Sequence, residues 1–382
     1  LRTKLRLFWI AIDRILPDGF VHANLGPRDN RVLRAVLDIE RELLQIVPNL
    51  SLKVHPELTT DEVLLDAIET VFHTAKPHFV NHEMMVGDLG EDYGVVSCYN
   101  SLKRGGGSHT LVRLNLKEVA LTHRGSTDDF LAETLPRYAA LNAEVMIARI
   151  RHLVEEARFF DHDFLAREGL VRLDRFSAMY GVYGLAEAVN ILMTNEGVES
   201  SYGDGGPADQ LSYRIIENLR NFVDNQPMPH CEGGDGRAFL HSQSGIDSDL
   251  DVTAGTRIPI GTEPETFAHI MTVAPHHRHF DAGVSDIFNI DDTVQGNPAA
   301  MVDIIRGAFA TGMRDFTFNV DSNDFVRITG YLVRKSELAR FADGGERHSS
   351  TVFAAGSVAN SHVTDRTIKR VLIHERNPRA GQ

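Results

Sequence analysis

The stretch "FVRITGYLVR", Phe325 to Arg334, sets Gly330 inside an apolar, β-branched run that reads as a strand. Glycine weakens a strand and has no side chain to pack. It therefore marks a bulge, a close backbone approach, or chemistry that tolerates no side chain. Arg327 stands three residues before it and Tyr331 directly after. The glycine lies 52 residues from the end of a 382-residue chain.

Working outward, the chain changes character after about Asn319: a glycine finger, a helix-like segment at 335–342, then a Ser/Thr/Asn-rich tail. This places a boundary near residue 320, with a core at 1–320 and a C-terminal unit at 321–382. Upstream, helical periods cover 31–47, 59–72, 130–160 and 301–313. A capping box from Thr59 to Glu62 is expected to open the second, and Pro136 to break or kink the third. Strand-like runs fall between them at 76–85, 93–99, 109–116, 267–274 and 315–320. Helices alternating with strands predict an α/β fold. The segment 195–209 reads as a flexible surface loop. The opening "LRTKLRLFWIAIDRILPDGF" has an apolar run too short for a secretory leader or a membrane span. It reads as an amphipathic helix entered midway, so N-terminal sequence is expected to be missing.

With 42% hydrophobic residues the chain can bury one large core or two domains. A net charge of −14 argues against nucleic acid or anionic membrane as a partner. Two cysteines, Cys98 and Cys231, exclude a disulfide framework and a four-cysteine zinc site, and suit a reducing cytoplasm.

Arg327-x-x-Gly330-Tyr331 near a C-terminus resembles the radical-bearing loop of glycyl radical enzymes. The chemistry explains the glycine. A radical on the α-carbon is stabilised by sharing with the flanking amide groups, which needs a planar carbon, and a Cβ would clash in that geometry. Such a store needs a relay to substrate, and a cysteine thiol supplies it as a thiyl radical. Cys98 follows an apolar strand and precedes a turn-rich loop, 232 residues before Gly330. By itself a lone cysteine reads as a buried, inert thiol; Cys231, in "MPHCEGGDGR", reads as a surface or pocket thiol. Pro77, Phe79 and Asn81 in "KPHFVNHE" are similar to the Pro-x-Phe-x-Asn strand upstream of the active cysteine in these enzymes. "YGVYGLAEAVN" (180–190) resembles the Gly-Leu-x-Glu helix start of anaerobic ribonucleotide reductases.

"SCYNSLKRGGGSHTLVRLNL" together with "RITGYLVR" most resembles the YjjI-type glycine radical enzymes, and the resemblance runs through residues 31–376. It implies a ten-stranded α/β barrel with a C-terminal glycyl radical loop segment, the cysteine and glycine loops meeting inside. Gly330 would store the radical, Cys98 would carry the thiyl, and Arg327 and Tyr331 would support the loop. A separate activase, using S-adenosylmethionine and an iron–sulfur cluster, would install the radical on Gly330. No bound cofactor or metal is then expected; the partners are the activase and a small organic substrate, and a homodimer stays open.

Departures from better-known relatives narrow the reaction. Ser97 and Tyr99 flank Cys98, so the paired cysteines of pyruvate formate-lyase-like enzymes are absent. Asn100 occupies the position where dehydratase-like members carry a glutamate base. No cysteine follows Cys231, so the zinc site of the ribonucleotide reductases is missing. A lyase- or dehydratase-like reaction is expected. The alternatives are a reductase-like enzyme without the zinc site, a silent paralogue that only binds ligand, and a spare-part protein that restores an oxygen-damaged partner.

Asn81, Asn100, His109 and Arg113 are the candidate substrate-pocket residues; His109, Arg113 and Asn115 alternate and could share one strand face. "RGGGSHT" (104–110) reads as a mobile turn, or a phosphate cradle. His276, His277 and His279 read as a pocket rim rather than a metal site, and Glu232 and Asp235 as an acid or base beside Cys231.

Overall fold

The computed structural model describes residues 1–15, 21–96, 99–242, 252–284, 286–328 and 332–344. Its strands, in chain order, are β1 (His22–Leu25), β2 (Asn49–Val54), β3 (His78–Asn81), β4 (Tyr93–Val96), β5 (Asn100–Lys103), β6 (Gly107–Asn115) and β7 (Phe176–Tyr183). They continue with β8 (Phe239–Ser242), β9 (Phe288–Ile290), β10 (Asp315–Phe316), β11 (Phe318–Val320), β12 (Phe325–Arg327) and β13 (Leu332–Arg334).

Two parallel sets carry the architecture. β1, β2 and β3 run side by side, with β10 antiparallel on the β3 edge. β6, β7 and β8 form the second set. Parallel neighbours need long crossovers, and helices supply them: Arg31–Leu43, Asp61–Thr74, Leu135–Arg151, Leu185–Asn195 and Pro207–Asn225. Every residue of β7 is buried, as expected of a parallel strand covered on both faces. Ala178, Tyr180 and Val182 pack outward with Leu185, Ile215 and Leu219 of the crossover helices. Met179 turns to the other side, among Tyr93, Val95, Tyr99 and Phe239. That second cluster fills the interior, and the β4–β5 pair belongs to it.

Local sequence explains most element ends. Thr60 caps Asp61–Thr74 by accepting from the Val63 amide. The capping box expected from Thr59 is not formed, because the Thr59 hydroxyl donates to the Pro27 carbonyl instead. Pro136 lies inside a helical run continuous from Thr127 to Arg151, Thr134 before it being in the αR conformation, so its missing amide interrupts the hydrogen-bond ladder. The irregularity expected there is a π-helical turn at Phe130–Thr134. The run 267–274, expected as a strand, lies in the helix Thr266–His277. Ile270, Val273, Ala274 and His277 recur at i, i+3, i+4 and i+7 and are buried, while Phe267 and Met271 are exposed. Helical period overrides the apolar content of that run.

The segment 195–209 is pinned rather than loose. Tyr202 is buried and donates to the Thr256 carbonyl at 2.6 Å. Asp209, also buried, accepts from the amides of Gly203 and Gly205. In "RGGGSHT" Gly105 turns the chain at φ +72°, and Gly106 and Gly107 allow close packing. A Cβ on Gly106 would stand 2.2 Å from the Arg175 carbonyl oxygen.

After Val320 the chain forms an antiparallel pair, with Val326 opposite Val333 and Arg327 opposite Leu332. The helix Lys335–Ala342 follows. Phe325 and Leu332 pack on Ile12, Ile46, Val47 and Ala75.

Candidate active site

Cys98, Gly330 and Tyr331 lie outside the described residues, as does Ser97; the site is built from what surrounds them. In the β4–β5 pair Val96 faces Asn100, so residues 97–99 are all that joins the two strands. The Asn24 side chain brackets Val95, donating to its carbonyl at 2.8 Å and accepting from its amide at 2.9 Å. On the other side the Ser101 amide donates to the Ala282 carbonyl. Tyr99 is fully buried in a left-handed conformation with φ 63°. Its carbonyl rests against Gly283, where a Cβ would stand 2.1 Å from that oxygen. Only glycine admits that approach, and its φ of +117° also favours glycine.

The other flank comes from the C-terminal segment. Arg327 is fully buried, and its Nη1 donates to the Tyr99 hydroxyl at 3.0 Å, across 228 residues of sequence. Its Nε donates to the Ala75 carbonyl at 2.6 Å. Asn319 grips the Arg327 backbone at both its amide and its carbonyl. Arg257 donates to the carbonyl of Ile328, two residues before Gly330. The Tyr99 ring packs at a tilt of 45° against His78, centroids 4.2 Å apart. His78 accepts or donates at Ser51, which also bonds His22, giving a polar row across the inner face of β3, β2 and β1. Burial, with His22 and Arg327 adding to it, pushes His78 well below the usual histidine range, so it is neutral.

A second group lies around Asp315. Asp315 and Asp286 are both buried. His277 Nδ1 accepts from the Arg314 amide at 3.0 Å, so its proton sits on Nε2 and is donated to Asp286 at 2.8 Å. Burial pushes the Asp286 carboxyl up, but the His277 hydrogen bond, with His269 and Arg257 nearby, outweighs it and holds the group below its ordinary value. Asp315 has no such help. Burial, reinforced by the charge of Asp286 against the opposing pull of His277, pushes it to about 7.

Several residues singled out by the sequence stand elsewhere. Asn81 caps the helix His82–Leu89 and donates to the Met313 carbonyl, a structural duty. His109 does not share a face with Arg113, because an irregularity between Ser108 and Leu111 shifts the register. Its ring packs against Phe160 and Phe176 and bonds the His230 carbonyl. Arg113 lies over the Tyr183 ring at 4.8 Å, and Asn115 caps Leu116–Thr122. Asn100 is partly buried beside Tyr99, its side-chain oxygen without a hydrogen-bond partner among the described residues. His276 and His277 are fully buried within a helix, His276 bonding Ser212 and His277 bonding Asp286. Glu187 of the Gly-Leu-x-Glu turn accepts from the Thr253 amide, which fastens the start of its helix. Glu232 and Asp235 are exposed. Among the described residues no group of three His, Cys, Asp or Glu could hold a metal ion, and no helix is long and apolar enough to cross a membrane.

Cys231 is buried, not a surface or pocket thiol, because the 3₁₀ turn at Glu232–Gly234 folds it under the crossover helices. Burial, with the Glu232 charge, pushes its thiol to about 12, so it is a poor nucleophile; what sets it apart from Cys98 is its place in the outer core and not in the cluster around Tyr99. Cys231→Ala is therefore expected to keep radical yield and turnover within about two-fold of wild type, at a stability cost of about 1 kcal/mol. Turnover assays and thermal melts check this; loss of turnover would move the thiyl role to Cys231.

Sequence reasoning missed Asp315, Asp286, Arg257 and His78. A signal for Asp315 was present. In 315–320 Asp, Thr and Asn alternate with Phe, Phe and Val, marking one polar face of a strand.

The fold is that of the glycyl radical enzymes. A glycyl radical enzyme from Archaeoglobus fulgidus superposes with a TM-score of 0.67 at 14% identity, over 92% of this chain and 62% of its own. The B12-independent glycerol dehydratase of Clostridium butyricum gives 0.67 at 14%, over 87% of this chain and 58% of its own. The chain thus spans about three-fifths of the length of these solved structures. The family model for YjjI-like glycyl radical enzymes matches residues 1–369. Protein YjjI of Escherichia coli (strain K12) is 44% identical over 383 residues, covering 100% of this chain and 73% of that protein. The chain belongs to the YjjI-like glycyl radical enzyme family.

Proposed function

We propose that this chain stores a radical on Gly330 and passes it to Cys98, whose thiyl radical takes a hydrogen atom from carbon of a small organic substrate. The observation that carries the reading is the Arg327–Tyr99 hydrogen bond. It ties the residue after Cys98 to the residue three before Gly330 inside the interior. Tyr331 and Arg327 serve as the loop's supports, Arg327 by holding the Tyr99 hydroxyl and the Ala75 carbonyl. Asn100, whose side-chain oxygen has no hydrogen-bond partner among the described residues, contributes to the substrate space, whereas Arg113 is spent on the Tyr183 ring.

A separate radical S-adenosylmethionine activase installs the radical, in an anaerobic, reducing cytoplasm. The unit 321–382 must open for it. Phe325 and Leu332 pack on the core through apolar contacts, and Arg327, Asn323 and Ile328 are tied across the boundary to Ala75, Tyr99, Val71, Phe72 and Arg257, so opening has to break these bonds together, as one unit. With no acyl-accepting second cysteine, we assign the reaction to the lyase class, as a dehydratase.

Anaerobic incubation with an activase and S-adenosylmethionine is expected to give a glycyl radical signal by electron paramagnetic resonance. Labelling with glycine deuterated at the α-carbon should collapse its hyperfine splitting, and Gly330→Ala should abolish it. A signal that persists in Gly330→Ala overturns the assignment.

A further inference from the structure

The position that bears a glutamate in dehydratase-like enzymes is Asn100 here, so a hydrogen-abstraction site of this kind needs another group to move protons. We propose that Asp315 is that group. One carboxyl oxygen gives a proton to the substrate's departing hydroxyl and the other takes the proton of the hydroxyl that remains, which defines the substrate class as 1,2-diols lost as water and a carbonyl compound. This rests on the radical reading above and deepens it.

Four observations converge. First, Asp315 is fully buried, yet neither carboxyl oxygen has a hydrogen-bond partner among the described residues. Buried polar groups in native proteins are nearly always satisfied, so two bare oxygens on one carboxyl invite a ligand. Second, its position faces the interior. Asp315 is opposite Val80 on β3, and Val80 belongs to the inner cluster with Tyr99, whereas the adjacent Phe316 pairs with Phe79 in the outer core. Third, the same polar row continues through Thr317, whose side chain meets the Tyr99 hydroxyl, to Asn319, which holds Arg327 and through it Tyr99. Tyr99 feels the charges of both Asp315 and Arg257. Fourth, Asp315 is paired with a second buried carboxyl in a different state: Asp286 is ionised on His277, while Asp315 holds its proton to about 7. Two carboxyls whose surroundings drive them apart are the mark of an acid–base assignment. The charged and titratable groups facing Asp315 are His277, Asp286, Arg314 and Arg257.

The step balances without a further reagent. The Cys98 thiyl removes a hydrogen atom from the carbon bearing the retained hydroxyl, leaving a thiol and a carbon radical. Protonated Asp315 gives its proton to the neighbouring hydroxyl, and the C–O bond breaks to release water. The retained hydroxyl loses its proton to the second Asp315 oxygen, which restores the acid and leaves a carbonyl with the radical beside it. That radical takes the hydrogen atom back from the Cys98 thiol.

The test uses the full-length activated protein with glycerol and 1,2-propanediol, each deuterated at C1, and compares wild type with Asp315→Asn and Asp315→Glu. Asp315→Asn should reach the wild-type radical yield and still wash deuterium from C1 into solvent through the thiol, while aldehyde formation falls about 100-fold or more. Asp315→Glu should recover part of it. Wild-type turnover should decline as pH rises through about 7, where the acid is lost. Aldehyde formation by Asp315→Asn within a few-fold of wild type overturns the proposal. So does joint loss of washout and aldehyde, which would make Asp315 structural. A radical-bearing wild type inert to both diols overturns the substrate class. In that event infrared absorption decides the carboxyl: a protonated-acid band at pH 6 that Asp315→Asn removes sustains it as proton holder, and absence of that band ends it.

Discussion

Cys98→Ala is expected to leave radical formation on Gly330 at wild-type yield while reducing turnover to background. Alanine has no hydrogen on sulfur to lose, so the stored radical has no carrier to the substrate. The two readouts separate the relay from the store: resonance spectroscopy counts the radical, and product analysis counts turnover. The substitution is also structurally mild, since the strand pair is held from outside the 97–99 connection by Asn24, Ala282 and the packing of Tyr99 against Gly283. A Cys98→Ala variant that turns over substrate, or one that cannot accept the radical at all, would break the proposed order of transfer from Gly330 to Cys98.

Air is expected to cut the activated protein at a single place. A carbon-centred backbone radical combines with O2, and the peroxyl that results breaks the chain there. Cleavage at Gly330 leaves a C-terminal piece of about 52 residues, the span from 330 to the end at 382. Only protein that has met the activase should break, and Gly330→Ala should resist, because an alanine α-carbon is a far poorer site for the planar radical. Mass spectrometry of activated and unactivated samples after exposure checks this. Breakage without activation, or at another residue, would reduce "RITGY" to a strand with a glycine in it.

The sequence by itself determined what chemistry is local to a few residues. Gly330 between Arg327 and Tyr331 is legible because the demand for a bare α-carbon is a property of one residue. The family, the α/β alternation and the helix starting at Leu185 follow from motif and period in the same way. The run 267–274 was misjudged where apolar content was weighed above an i, i+4 rhythm that was already there. What the tertiary structure alone decided is the surroundings of each side chain. Nothing in the chain's order brings Arg327 to Tyr99, since that contact closes a loop of 228 residues. Nothing near Cys231 announces that it is buried and protonated, or near Asn81 that its amide is spent on a helix end and the Met313 carbonyl. Asp286 and Asp315 carry the same carboxyl, yet one is ionised and the other keeps its proton to about 7. The difference lies in the His277 hydrogen bond and in the water excluded from both, and desolvation and charge act through space among atoms that the sequence leaves far apart.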